Sequence, residues 1–154
     1  MSGNNSRRYP QRPVLGVGAL IWEGSRVLLV ERGGPPLVGE WSLPGGVVET
    51  GERLEDALAR EVLEETNLQV EVGPIALTFE RIMPDQSGTC EYHYVLIDFH
   101  CTVLSGELRA GDDSSRAAWF EIDSLDSLPM TLGTREVIRN CASRPPTCSQ
   151  VTRP

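Results

Sequence analysis

The stretch that most constrains this chain is residues 53–66, RLEDALAREVLEET, which contains no Gly or Pro and is dominated by good helix formers. Leu54, Leu58 and Val62 recur four residues apart and supply a stripe for burial, while Asn67 follows where a left-handed C-cap is expected. A helix here must bury one face against something. The β-rich segments on either side are the natural partner, so the chain is expected to build a sheet with this helix packed on it.

The distribution of charge on that helix is unusual. Between Gly45 and Leu68 seven residues are Asp or Glu against two Arg. At about 100° per residue, Glu61, Glu64 and Glu65 fall within an arc of about 100°. Like charges at this spacing destabilise a helix by a few tenths of a kcal/mol per pair, roughly, and no Lys lies four residues away to relieve them. Hard divalent cations neutralise such a patch, since magnesium prefers oxygen ligands, takes one or two protein carboxylates and leaves its other positions to water and phosphate. Arg60, immediately before Glu61, is placed to orient that carboxylate by a bidentate contact. Glu52 suits the positive end of the helix dipole. Pro44-Gly45-Gly46 can bring a backbone carbonyl close to the cation.

Around this segment, residues 14–22 and 26–31 are expected to form a hairpin through Glu23-Gly24-Ser25, with a Gly/Pro loop over 33–39 and short strands near 41–43 and 47–49. Residues 69–83, broken at Gly73-Pro74, and 91–104 are expected to pair antiparallel across a loop at 84–88. An acidic loop over 105–115, a strand over 116–122 and a second helix over 133–141 complete the order. The fold class is therefore α/β (α+β) with a mixed sheet. One domain is expected over 12–142, with polar or Pro-containing tails at 1–11 and 143–154.

The formal charge of −8 argues against a nucleic-acid partner, because it repels a phosphate backbone. An acidic protein can nonetheless act on an anionic small molecule when cations lie between the two. The four cysteines fit neither a metal knuckle nor a disulfide framework, and no secretory signal or membrane-length apolar run is seen, so a cytoplasmic protein with no membrane partner is expected.

The segment resembles the Nudix box, in which Gly, five residues, Glu, seven residues and Arg-Glu-aliphatic-any-Glu-Glu-any-Gly-aliphatic are matched here by Gly46, Glu52, Arg60, Glu61, Val62, Glu64, Glu65, Asn67 and Leu68. Only Asn67 departs, at a helix cap where Asn can serve. The resemblance implies a Nudix-type α/β/α sandwich and hydrolysis of a nucleoside diphosphate linked to another moiety. It implies magnesium as cofactor, with manganese able to substitute, held by Glu61, Glu64, Glu65 and the Gly45 carbonyl. Glu61, Glu65 and Arg60 are the catalytic candidates, and Glu107, Asp112 and Asp113 are further candidates for the base. A small nucleotide-derived molecule is the implied partner, and a homodimer is compatible with the chain. For the substrate, Pro84 lies sixteen residues beyond Leu68, where members acting on ADP-ribose often carry a proline, so cleavage to AMP and ribose 5-phosphate is the leading expectation. Trp41 and Phe79 are candidates for stacking on a base or ribose, and Arg32 and Arg81 for phosphate contact. Competing expectations are a nucleoside triphosphate pyrophosphohydrolase and a nucleotide sensor without catalysis.

Overall fold

A computed structural model describes residues 7–111 and 114–142. Strand β1 (Val14–Glu23) turns into β2 (Arg26–Arg32) through two residues, with Glu23 facing Arg26. Gly24 carries a φ of +60 at this turn, a left-handed value that glycine adopts without steric cost. Short strands β3 (Trp41–Ser42) and β4 (Gly45–Val47) precede helix α1 (Leu54–Thr66). Long strands β5 (Leu68–Pro84) and β6 (Cys90–Gly106), strand β7 (Ser114–Glu121), a 3₁₀ helix at Ile122–Ser127 and helix α2 (Thr134–Ala142) follow.

The sheet is mixed. Its main path runs β3-β2-β1-β6-β5, with β4 added beside β1 and β7 beside β2. Strand β1 runs parallel to β6, from Val14 opposite Tyr94 to Ile21 opposite Cys101, while the other named pairs are antiparallel. Alternation along β1 explains the two-sided core. Val17, Ala19 and Ile21 join Phe99 and Cys101 under Ala57, Leu58 and Val62 of α1. On the opposite face Leu20, Val27, Leu29 and Trp41 pack with Leu125, Val137 and Ile138 of the 3₁₀ segment and α2. Helical layers thus cover both faces of the sheet, the expected sandwich.

Three details differ from the sequence expectation. Strand β5 passes through Gly73-Pro74 without ending, because register shifts between Val72 and Ile75 and again before Leu77 absorb the missing amide. The 3₁₀ helix was not foreseen. Residues 8 and 9, placed by composition in an N-terminal tail, are bonded to the start of β6: the Tyr9 amide donates to the Glu91 carbonyl at 2.7 Å and the Arg8 guanidinium to the Glu91 carboxylate at 2.7 Å. Residues 143–154 lie outside the described residues.

Candidate active site

Helix α1 begins after Arg53 and ends at Asn67, whose φ of 62 and ψ of 17 are left-handed and whose amide donates to the Leu63 carbonyl at 2.9 Å. The cap is thus filled as anticipated, by the one residue that departs from the box. Beyond it the chain returns to the same helix end. The amides of Arg109 and Gly111 donate to the carbonyls of Thr66 and Glu65, each at 3.0 Å, and Ser114 Oγ donates to the Glu65 carbonyl at 3.1 Å. These bonds satisfy carbonyls that a helix end otherwise leaves open.

Arg60 organises the acidic face, but its bidentate partner is not the one expected. Its Nε and Nη2 donate to the two carboxylate oxygens of Glu52, at 2.7 and 3.0 Å. Glu61 receives a single bond from Nη1 at 2.8 Å, and Glu64 a long one at 3.5 Å. The loop before the helix folds Glu52 back over it, which eight residues of separation alone did not reveal. Held by Arg60 first and by the Glu49 amide second, Glu52 has its pKa lowered to about 2. Arg60 is correspondingly raised above its ordinary value, chiefly by Glu52.

Glu61 is in the opposite condition. Its carboxylate is mostly covered, and burial raises its pKa although Arg60 pulls the other way. Desolvation outweighs one charge-assisted hydrogen bond. The carboxylate lies over Gly46 so closely that a Cβ at that position would be 2.3 Å from the Glu61 carboxyl carbon. Gly45 is equally constrained, since a Cβ there would meet the Val17 carbonyl oxygen at 2.0 Å. The Gly45 amide donates to Glu65 Oε2 at 3.0 Å. Although the helix puts Glu61, Glu64 and Glu65 on one arc, Arg60 and the Gly45 amide draw their carboxylates to separate partners. Among the described residues no three acidic, His or Cys side chains form a ready cage. A half-desolvated carboxylate beside the half-exposed Glu64 and the tethered Glu65 still fits magnesium, which needs only one or two carboxylates from protein.

These residues form one wall of a cleft of about 580 Å³. The floor is the sheet. Pairing sets Gly16 and Gly18 of β1 beside Leu96 and Asp98 of β6, and Phe79 and Arg81 of β5 opposite Leu96 and Tyr94. Directly paired residues share a face, so the two glycines leave a depression bordered by Phe79, Arg81, Tyr94, Leu96 and Asp98. A Cβ on Gly18 would be 2.3 Å from Asp98 Oδ1. Asp98 is only 4% exposed, and burial pushes its pKa up to about 7 against a lowering influence from Arg81. Arg81 is itself pulled below its ordinary value, first by burial and then by Arg32. Its Nη2 donates to the Leu132 carbonyl at 2.5 Å, while its Nε and the Tyr94 hydroxyl are buried without a partner among the described residues. Such orphaned donors cost roughly 1–3 kcal/mol each when nothing meets them, so they mark where a ligand or water belongs.

The cleft gathers most of the anticipated residues. Gly45, Glu61, Glu64, Glu65, Arg32, Phe79 and Arg81 line it. Trp41 does not. It is buried in the α2-side core, edge-on to Phe120 at 4.7 Å, and Arg116 covers its ring. Pro84 also lies apart, at the β5–β6 turn in a shallow depression with Arg8, Asp85 and Glu91. Glu107 is exposed and is not among the residues lining the cleft, and Asp112 and Asp113 lie outside the described residues. Asp98 and Tyr94 were missed. A lone Asp inside the apolar run YVLIDF was the available signal.

Comparison with known proteins gives these contacts a context. The NUDIX domain model matches residues 12–141. Over 116 residues the chain is 36% identical to a protein of Methanocaldococcus jannaschii named ADP-ribose pyrophosphatase, covering 75% of this chain and 66% of the relative, a little under two thirds of its length. It is 31% identical over 106 residues to the Escherichia coli nucleoside triphosphatase NudI, covering 66% of this chain and 75% of that protein. The crystal structure of a MutT NUDIX hydrolase from Burkholderia pseudomallei superposes with a TM-score of 0.74 at 31% identity, covering 84% of this chain and 98% of the other.

Proposed function

The chain belongs to the Nudix family of hydrolases, and from that premise we propose that it cuts the central diphosphate of ADP-ribose, giving AMP and ribose 5-phosphate. The observation that carries the substrate is the 36% identity with the archaeal ADP-ribose pyrophosphatase. The cleft supports it, being within the range of roughly 300–1,000 Å³ usual for small-molecule sites, with acidic groups on one wall and arginines on the floor. Magnesium is the proposed cofactor, with Glu61, Glu64, Glu65 and the Gly45 carbonyl as the set from which its protein ligands are drawn. The cation supplies Lewis acidity, offsetting phosphate charge and making water a better nucleophile.

The protein's own residues then have distinct tasks. Arg60 is a positioning residue that holds Glu61 from one side and Glu52 from the other. Glu65 or Glu61 accepts the proton of the attacking water, and Glu65, already tethered to the Gly45 amide, is the better oriented of the two. Arg32 and Arg81 meet the diphosphate from the opposite side. Attack at either phosphorus gives the same two products.

One observation favours a second reading, release of pyrophosphate or phosphate from a nucleoside triphosphate: the 31% identity with the Escherichia coli triphosphatase. A substrate panel with magnesium, products identified by mass, separates the two. ADP-ribose in competition with nucleoside triphosphates at equal concentration should show the higher kcat/KM. A tenfold preference for any triphosphate, about 1.4 kcal/mol in barrier, replaces the first reading with the second. Chelator should abolish turnover, and calcium, with its looser geometry, should restore it poorly. Full activity of metal-free protein in chelator would refute the cation's role.

A further inference from the structure

A third arginine borders the cleft, and neither helix nor strand supplies it. Arg7 lines the cavity together with Arg32 and Arg81, and its charge acts on both Glu61 and Tyr94, one from each side of the cleft. Its position is built rather than incidental. The Tyr9 amide donates to the Glu91 carbonyl and the Tyr9 hydroxyl to Asp85 Oδ2 at 2.8 Å. Arg8 pairs with the Glu91 carboxylate. Tyr9 has a φ of +52, uncommon for a residue with a side chain, and the surrounding bonds hold it there.

Its anchor is rigid in turn. Asp85 Oδ1 accepts the amides of Ser87 and Thr89 at 2.8 and 3.0 Å and the Ser87 hydroxyl at 2.6 Å, so the turn joining β5 to β6 is held by bonds that do not involve Tyr9. The strands leaving that turn carry Arg81, Tyr94 and Asp98. The N-terminal segment is therefore fixed to the same two strands that form the cleft floor.

The three guanidinium groups differ in freedom. Arg32 Nε donates to the Pro36 carbonyl at 2.7 Å, and Arg81 Nη2 to the Leu132 carbonyl. Each spends a donor on fixing its own direction. Arg7 is exposed. It is carried by a tethered backbone, its side chain makes no hydrogen bond or ion pair among the described residues, and a guanidinium matches two phosphate oxygens at once.

We propose that residues 7–9 form a strap that delivers Arg7 across the cleft mouth as a third substrate-binding arginine, contacting the diphosphate of the bound nucleotide beside Arg32 and Arg81. This rests on the diphosphate reading above and adds a specificity residue outside the family's sequence box. In an acidic protein the arrangement offsets the carboxylate wall that an anionic substrate must approach.

The test uses the full chain. Arg7→Ala should raise KM for ADP-ribose about tenfold, as expected for losing a charge-assisted contact to phosphate, with kcat within about twofold and the melting temperature unchanged. Tyr9→Phe and Asp85→Asn, which loosen the anchor without touching the cleft, should each raise KM by a smaller factor. Combined with Arg7→Ala they should add nothing, because all three act through one side chain. An unchanged KM for Arg7→Ala overturns the proposal, and so does a fully additive effect of the anchor variants. Failure of the wild-type protein to cut ADP-ribose overturns the substrate reading alone. The same variants are then measured with the diphosphate compound that the panel shows to be cut, with the same outcomes deciding.

Discussion

Two sides of one cleft are built on opposite principles. On the α1 side charge is dense and partnered: Arg60 is shared among Glu52, Glu61 and Glu64, and Glu65 takes the Gly45 amide. On the sheet side charge is sparse and buried: Arg81 Nε and the Tyr94 hydroxyl have no hydrogen-bond partner among the described residues, and Asp98 is desolvated until its pKa reaches about 7. The first side spends its hydrogen bonds within itself. The second has its binding capacity unspent. A cleft made this way presents a fixed chemical edge to one part of a substrate and an unsatisfied polar floor to the other.

The sharpest way to break this contrast is on the partnered side. Glu65→Gln should lower turnover at least about a hundredfold, the usual loss on removing a main electrostatic contributor, while leaving folding intact or slightly improved by relief of a like-charge contact. Turnover at the wild-type rate would take Glu65 out of the reaction.

On the floor the decisive variable is pH. The Asp98 carboxyl in the unfolded chain loses its proton near its ordinary 3.8, but in the fold it keeps it to about 7. Between these values the unfolded state binds fewer protons, so this residue makes stability fall as pH rises from about 4 to about 7 and contributes no slope above that. Asp98→Asn removes the slope. Relative to wild type the variant should gain on the order of 2 kcal/mol across that window, allowing for relaxation around the buried group. Chemical denaturation at several pH values measures it, and parallel curves for the two proteins would show that Asp98 ionises without penalty.

A smaller effect probes how the α1 carboxylates are seated. Gly46→Ala places a methyl group against the Glu61 carboxylate, a flexible group that can swing aside, so the fold should survive while the catalytic geometry does not. A loss of about tenfold in kcat is expected, since an ångström of displacement is enough to cost that much or more. Wild-type kcat would mean that the seat of Glu61 is immaterial.

The two sides also differ in how far the sequence revealed them. The α1 carboxylates, the Asn67 cap and the stripe of Leu58 and Val62 follow from spacing along one helix, where neighbours are fixed by a period of 3.6 residues. The β1–β2 hairpin was equally local. The floor depends on β1 lying parallel to β6, a pairing between segments some eighty residues apart that nothing in either segment announces. Without it, Gly18 and Asp98 cannot be seen as neighbours. Trp41 shows the same limit from the other direction, since an aromatic near a glycine-rich loop is as suited to a core as to a ligand, and only its contact with Phe120 decides. Arg60 chose Glu52 because the intervening loop closes, a tertiary fact outside any helical template.

The last turn of α1 carries no basic residue while Glu64 and Glu65 stand at its carbonyl end. Negative charge at that pole of a helix is unfavourable by roughly 0.3–1 kcal/mol per group, so the helix is locally frustrated by the residues proposed to work for it. A cation bound there relieves the frustration and counts as a folding partner through linkage: at a hundredfold excess over its dissociation constant it adds about 2.7 kcal/mol to the native state. With a cation held there, heat tolerance would follow the supply of divalent ions, and the same acidic turn that would run the chemistry would make the protein's persistence depend on its ionic surroundings.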